Sequence, residues 1–133
     1  MKQLSKKKKY LNSINNPIKV KQVTLSNYLK IKKIKNIDLL KIDTQGYELN
    51  VLKGIKKHDF RKVKIILLEI NFWDYYSKMT SFYEIEKILG KNFKFWDISF
   101  IYKNPKYLST DYVDAVYINK SVYDKIKKNT QKI

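Results

Sequence analysis

Two carboxylates lie where an α/β sheet can use them. Asp43 closes the apolar run IDLLKID (37–43) and precedes a glycine-containing turn, Thr44-Gln45-Gly46. Glu69 sits near the end of a second apolar run, VKIILLEI (63–70), with Asn71 two residues on. In open α/β sheets ligands bind at the carboxyl ends of the strands. A carboxylate there can take a proton, bind a metal or orient a hydroxyl; it can also do no more than cap the next helix or hydrogen-bond the turn. Residues two apart in a strand share a face, and adjacent parallel strands bring their ends together. Asp43, Glu69 and Asn71 are therefore expected as one polar cluster. Gly46 reads as a residue of backbone geometry, in a turn that needs positive φ or close approach. Glu48 falls in the first turn of the following helix, where a negative charge complements the helix dipole. Phe72, Trp73, Tyr75 and Tyr76 follow the second strand, either walling an acceptor pocket or packing under the next helix. His58 is the only histidine and reads as a surface residue of a basic loop, which excludes a His-based triad or a multi-His metal site.

The elements that must position these residues can be read from periodicity. Asn16-Pro17 is a turn signal, and the alternation from Ile18 to Val23 suggests an edge strand. Thr24 is an N-cap for a helix carrying Leu25, Tyr28 and Leu29, with Ile31, to about Lys33. The run 37–43 suits a strand buried on both faces. The segment YELNVLKGI reads as a helix with Leu49, Val51, Leu52 and Ile55 as its apolar set and Gly54 near its end. It is followed by the strand 63–70, and one helix between two strands is what a parallel crossover needs. Ser81 caps a helix over 82–89 that Gly90 ends. A third strand spans 93–102 with Trp96, Ile98, Phe100 and Tyr102 on one face, and a fourth spans 113–118. The last two share no helical crossover, so they are expected to pair antiparallel.

Composition narrows the class. The chain has 133 residues, 44% hydrophobic and 14% aromatic, enough apolar material for one folded domain rather than a disordered chain. No apolar run approaches the roughly 18 residues of a membrane span, and the basic start has no apolar segment behind it to make a secretory signal. There is no cysteine, hence no disulfide framework or thiolate metal site, and a cytoplasmic location is expected. Lys+Arg is 29 against Asp+Glu 12, a net charge of +17. Such a charge can serve a nucleic acid or an anionic membrane. Here it is scattered lysine without an arginine cluster, so solvated surface is the expectation and a nucleic-acid partner is not. The only glycines are Gly46, Gly54 and Gly90, so the chain carries no G-x-G or G-x-x-x-x-G-K phosphate loop.

The run TLSNYL (24–29), then IDLLKIDTQGYELNVLKGI (37–55), then IILLEI (65–70) resembles the FkbM family of S-adenosylmethionine-dependent methyltransferases. The resemblance rests on Asp38, Leu40, Lys41, Asp43, Gly46, Glu48, Leu52, Lys53 and Gly54 at the family's spacing. With the closing VDAVYINK (113–120) it covers roughly residues 23 to 120. Two departures stand out. Ser26 replaces the acid of the family's TLD, and the family's first half, with a D-x-G-A-N-type loop that makes most of the cofactor contacts, is missing.

The resemblance implies a truncated three-layer Rossmann-like α/β fold, with strands equivalent to 4-5-7-6 and helices on both faces. Residues 1–16 would form a basic polar tail and 17–133 the C-terminal half of a methyltransferase-like domain. It further implies methyl transfer from S-adenosylmethionine to a hydroxyl of a small molecule or sugar. Asp43 and Glu69 are then the catalytic candidates, Asp43 and Gly46 the cofactor-facing ones, and Glu48, Asn71 and Trp73 the substrate-facing ones, with no metal. The chain is expected to be a fragment, a split product or a degenerate copy. Its strand 37–43 would carry a free apolar edge suited to self-association or a complementing chain. Two other readings remain: an inactive remnant serving as an interaction module, and a basic nucleic-acid-associated α/β protein.

Overall fold

Short local signals start the helices. The Thr24 hydroxyl accepts from the Asn27 amide at 3.3 Å, opening helix α1 (Leu25–Ile31). Ser81 and Glu84 form a reciprocal capping box at helix α3 (Phe82–Leu89), satisfying amide groups that the first turn leaves free. Between these lie strand β1 (Ile37–Ile42), helix α2 (Glu48–Lys53), a 3-10 turn (Asp59–Lys62) and strand β2 (Val63–Asn71). Strands β3 (Phe93–Lys103) and β4 (Thr110–Asn119) and helix α4 (Lys120–Thr130) complete the chain. The computed structural model describes residues 19–72 and 81–130; the expected tail 1–16 lies outside them.

The four strands form one sheet in the order β1-β2-β4-β3. β1 and β2 run parallel, with Ile37 opposite Val63 and Ile42 opposite Leu68. β4 runs antiparallel to both β2 and β3. This is the Rossmann-like order expected from the resemblance, with strands equivalent to 4-5-7-6. The parallel step holds α2 as its crossover, as the interval between the two apolar runs requires.

Burial alternates along β2 and β4, so the two sheet faces differ. Ile66, Leu68, Ile70, Val113, Ala115 and Tyr117 point to one face and are all but inaccessible. They pack with Leu52 of α2, Ile85 and Leu89 of α3, Phe60 and Phe93. Phe60 meets Phe93 edge-on at 6.0 Å, and each such fully buried side chain contributes about 1.5–3 kcal/mol of transfer free energy. Gly54 ends α2 beside α1, where an added Cβ would sit 3.4 Å from Thr24 Cβ. The opposite face carries α4: Tyr123 lies edge-on to Trp96 at 5.9 Å and under the Lys94 ammonium at 4.1 Å. Helices thus flank both faces, unevenly.

Three expectations need correction, and one element was not expected. Lys19–Val23 forms no strand; Val20 is 81% exposed, and without a neighbour to pair with the alternation has no structural consequence. β1 is not buried on both faces, since it ends the described sheet and Leu39 is 56% exposed. β3 does not keep Trp96, Ile98, Phe100 and Tyr102 on one face, because its register against β4 shifts three times, between Phe95 and Asp97, Ile98 and Phe100, and Tyr102 and Lys103. Each shift rotates the alternation. The fourth strand contains the expected 113–118 and is followed at once by a helix, α4, that was not expected. Asn119 is buried, its amide donating to the Phe60 and Val63 carbonyls while its Oδ1 accepts from the Ser121 amide at 3.0 Å, and that cap starts α4.

Candidate active site

The turn after β1 is built by one buried carboxylate. Glu48 is 1% exposed. Its Oε1 accepts from the Thr44 amide at 2.9 Å, the Thr44 hydroxyl at 3.0 Å and the Gly46 amide at 3.1 Å. A buried charge survives only with such partners. The loop it holds has positive φ at two successive residues, 53° at Gln45 and 98° at Gly46. The second value is the one that asks for glycine. Glu48, named above among the substrate-facing residues, is turned toward its own loop.

Held in this way, the turn presents Asp43 at the carboxyl end of β1. Its carboxylate is partly exposed and accepts from Lys41 Nζ at 3.1 Å and from Gln45 Nε2 at 2.9 Å. The hydrogen bond from Lys41 first, then that from Gln45, keeps Asp43 below the usual aspartate range. Lys41 is raised in turn, chiefly by its hydrogen bond to Asp43.

Glu69 is half-buried on β2, and its Oε1 accepts from Asn71 Nδ2 at 2.8 Å. Desolvation pushes its carboxyl up, helped by the charges of Asp43, Glu48 and Asp114, while Asn71 opposes the shift. The parallel register, with Ile42 opposite Leu68, brings Asp43 to the flank of Glu69. The expected cluster of Asp43, Glu69 and Asn71 is therefore formed, with Glu69 and Asn71 in direct contact. Trp73, Tyr75 and Tyr76 lie outside the described residues.

Two members escaped the sequence reading. Asp114 and Tyr112 stand on β4, opposite Glu69 and Asn71 respectively. Tyr112 stacks on Tyr102 at 5.0 Å and 14°. Desolvation, then Glu69, raises its phenol. The signal was present: Asp114 and Tyr112 alternate with Val113 and Ala115, and placing β4 beside β2 would have aimed them at Glu69.

Ser26, the departure from TLD, is buried at 5% exposure. Its oxygen accepts from the Lys56 amide at 2.7 Å and its hydroxyl serves buried Asp59, which also holds Lys62 at 2.7 Å. An acid at position 26 would face Asp59 across that hydrogen bond. His58 is a surface residue, its ring 3.4 Å from Asp59.

The chemistry available at the strand ends follows from these charges. Asp43 stays ionised and suits accepting hydrogen bonds or facing a cation; Glu69, with its raised carboxyl, is the better proton acceptor of the two. Among the described residues no three His, Asp or Glu side chains are grouped to hold a metal ion, and no helix is long and apolar enough to cross a membrane.

A family model described as the methyltransferase FkbM domain matches residues 2–96. The match starts earlier than the resemblance read from the motifs and stops within β3. It includes β1, the Glu48-held turn and Glu69. No curated protein and no solved structure matches the chain.

Proposed function

The chain belongs to the methyltransferase FkbM family, and from that premise we propose that it forms the acceptor-side wall of an S-adenosylmethionine-dependent O-methyltransferase site acting on a small-molecule or sugar hydroxyl in the cytoplasm. The observation that carries this reading is the convergence of Asp43, Glu69, Asn71, Asp114 and Tyr112 at the carboxyl ends of β1 and β2. Asp43 fits one side of the cofactor, as an ionised, accessible carboxylate beside a turn whose Gly46 offers bare backbone. The cofactor, when bound, supplies an electrophilic methyl group on a sulfonium. Glu69 would take up the acceptor's hydroxyl proton, leaving the acceptor oxygen free to receive the methyl group that the cofactor would supply. Asn71 holds the Glu69 carboxylate in position. Positioning of this kind carries much of the rate in a displacement.

The other wall is not in this sequence, whose three glycines form no phosphate- or nucleoside-binding loop. We assign it to a segment or chain that pairs along the edge of β1 that ends the described sheet, which would make the 133 residues a fragment or one part of a split enzyme. Exposure of Leu39 at that edge supports the pairing, as unpaired apolar edges recruit strands.

Isothermal titration of the purified monomer with S-adenosylmethionine should give no tight complex; micromolar binding would refute the missing wall. Adding a family polypeptide that carries the D-x-G-A-N half should restore binding and transfer of a labelled methyl group to a hydroxyl acceptor. With that complement, Glu69→Gln should lower kcat and spare cofactor affinity. Restored binding with no transfer to any hydroxyl would favour the inactive interaction module, a reading that the edge of the described sheet also suits.

A further inference from the structure

A concavity lies away from the strand ends, between α2 and α3. It has a volume of ≈ 620 Å³, within the roughly 300–1,000 Å³ of known ligand sites. Its floor is apolar, made by Leu49, Ile55, Phe60 and Ile88, and its rim carries Lys53, Lys57, Lys87 and Lys91. Glu84 is the only acid among its lining residues. The ion pairs of the described residues use Lys41, His58, Lys62 and Lys64, so the four rim lysines enter none of them.

We infer that this groove docks an acidic amphipathic helix of a partner protein, its apolar stripe on the floor and its carboxylates against the lysine rim. The apolar floor between two helices can take the apolar stripe of a third, the helix-in-groove mode of recognition. The rim asks for negative charge, and like charges would penalise a basic ligand. A second copy of this chain does not meet that demand, because each copy carries +17 and its own amphipathic helix α4 is lysine-rich. A nucleic acid fits less well: the rim holds no arginine, and an apolar floor leaves a phosphate backbone unmatched. The inference is independent of the methyl-transfer reading, since none of these groups belongs to the strand-end cluster.

The test uses the full chain and a fluorescein-labelled peptide of about 15 residues with leucines at i, i+3, i+4 and i+7 spacing and glutamates elsewhere. Fluorescence anisotropy should show binding at least about tenfold tighter than for a peptide of the same composition scrambled to break the stripe. Lys53→Glu with Lys87→Glu should weaken it by about tenfold or more. Lys103→Glu with Lys106→Glu, the same change in net charge outside the groove, should leave it nearly unchanged. All four lysines are exposed, so neither pair disturbs the core. Equal binding of the scrambled peptide, or equal losses in the two double variants, would overturn the inference. So would a single-stranded oligonucleotide that binds the chain more tightly than the peptide and loses its affinity only in the Lys53/Lys87 variant.

Discussion

Replacing Glu48 tests the central claim about the candidate site, that one carboxylate oxygen builds the turn presenting Asp43. Three donors converge on Oε1, two backbone amides and the Thr44 hydroxyl, and the residue is 1% exposed. Hydrogen bonds to a charged group contribute about 1.5–3 kcal/mol each. Thr44 is exposed, so water can take over part of its loss, and the three are not additive. Glu48→Ala should therefore cost about 3–5 kcal/mol, a large share of the roughly 5–15 kcal/mol that holds a domain of this size together. Glu48→Gln keeps an acceptor at Oε1 for all three donors and loses only the charge assistance, which places it near 1–2 kcal/mol. Urea denaturation followed by circular dichroism reads both. At a slope of about 1–3 kcal/mol per molar, the alanine variant should lower the midpoint by at least about 1 M and the glutamine variant by clearly less than the alanine variant. An alanine variant within about 0.5 kcal/mol of wild type would refute the claim, placing the substitution among neutral surface changes. A glutamine variant as costly as alanine would refute the assignment of the bonds to one oxygen.

Gly46→Ala should destabilise by about 1–3 kcal/mol, because φ of 98° lies outside what an L side chain tolerates; a thermal melt indistinguishable from wild type would contradict the turn geometry. Asp59→Asn should cost about 1.5–3 kcal/mol at neutral pH by weakening charge-assisted bonds to Lys62 and Ser26. The folded-state carboxyl is lowered, so this stability is present above the unfolded value of about 3.9 and is lost as pH falls through the folded value. The gap between variant and wild type should close in that acid window, and a gap that persists there would count against the ion pair. Glu69→Gln should act in the opposite sense. Its carboxyl is raised, chiefly by desolvation, so the folded state disfavours its charge once pH rises through the unfolded value. The glutamine variant should melt higher than wild type at neutral pH and gain nothing below about pH 4. A lower melting temperature at neutral pH would contradict the desolvation account.

Much of the fold was legible because its signals are local. Thr24 and Ser81 announce helices through their own hydrogen bonds, and the runs 37–43 and 63–70 announce strands through nearly continuous apolarity. The order of the strands followed from the family resemblance and the single helix between those runs. The final helix was missed because its start depends on Asn119 reaching Phe60 and Val63, residues distant in sequence. Bulges in β3 were equally invisible, since they arise from matching its length and twist to β4.

By itself the sequence determined the carboxylates, their places at strand ends and the need for glycine at 46. Those depend on residue type and on spacing within one element. Only the tertiary structure decided what each carboxylate does. Glu48 and Asp43 belong to one turn, yet burial makes the first a brace and exposure leaves the second accessible. Asp114 and Tyr112 join the cluster through the β2–β4 register alone. Burial and cross-strand neighbours set the charge of a side chain, and neither is a property of the residues beside it in the chain.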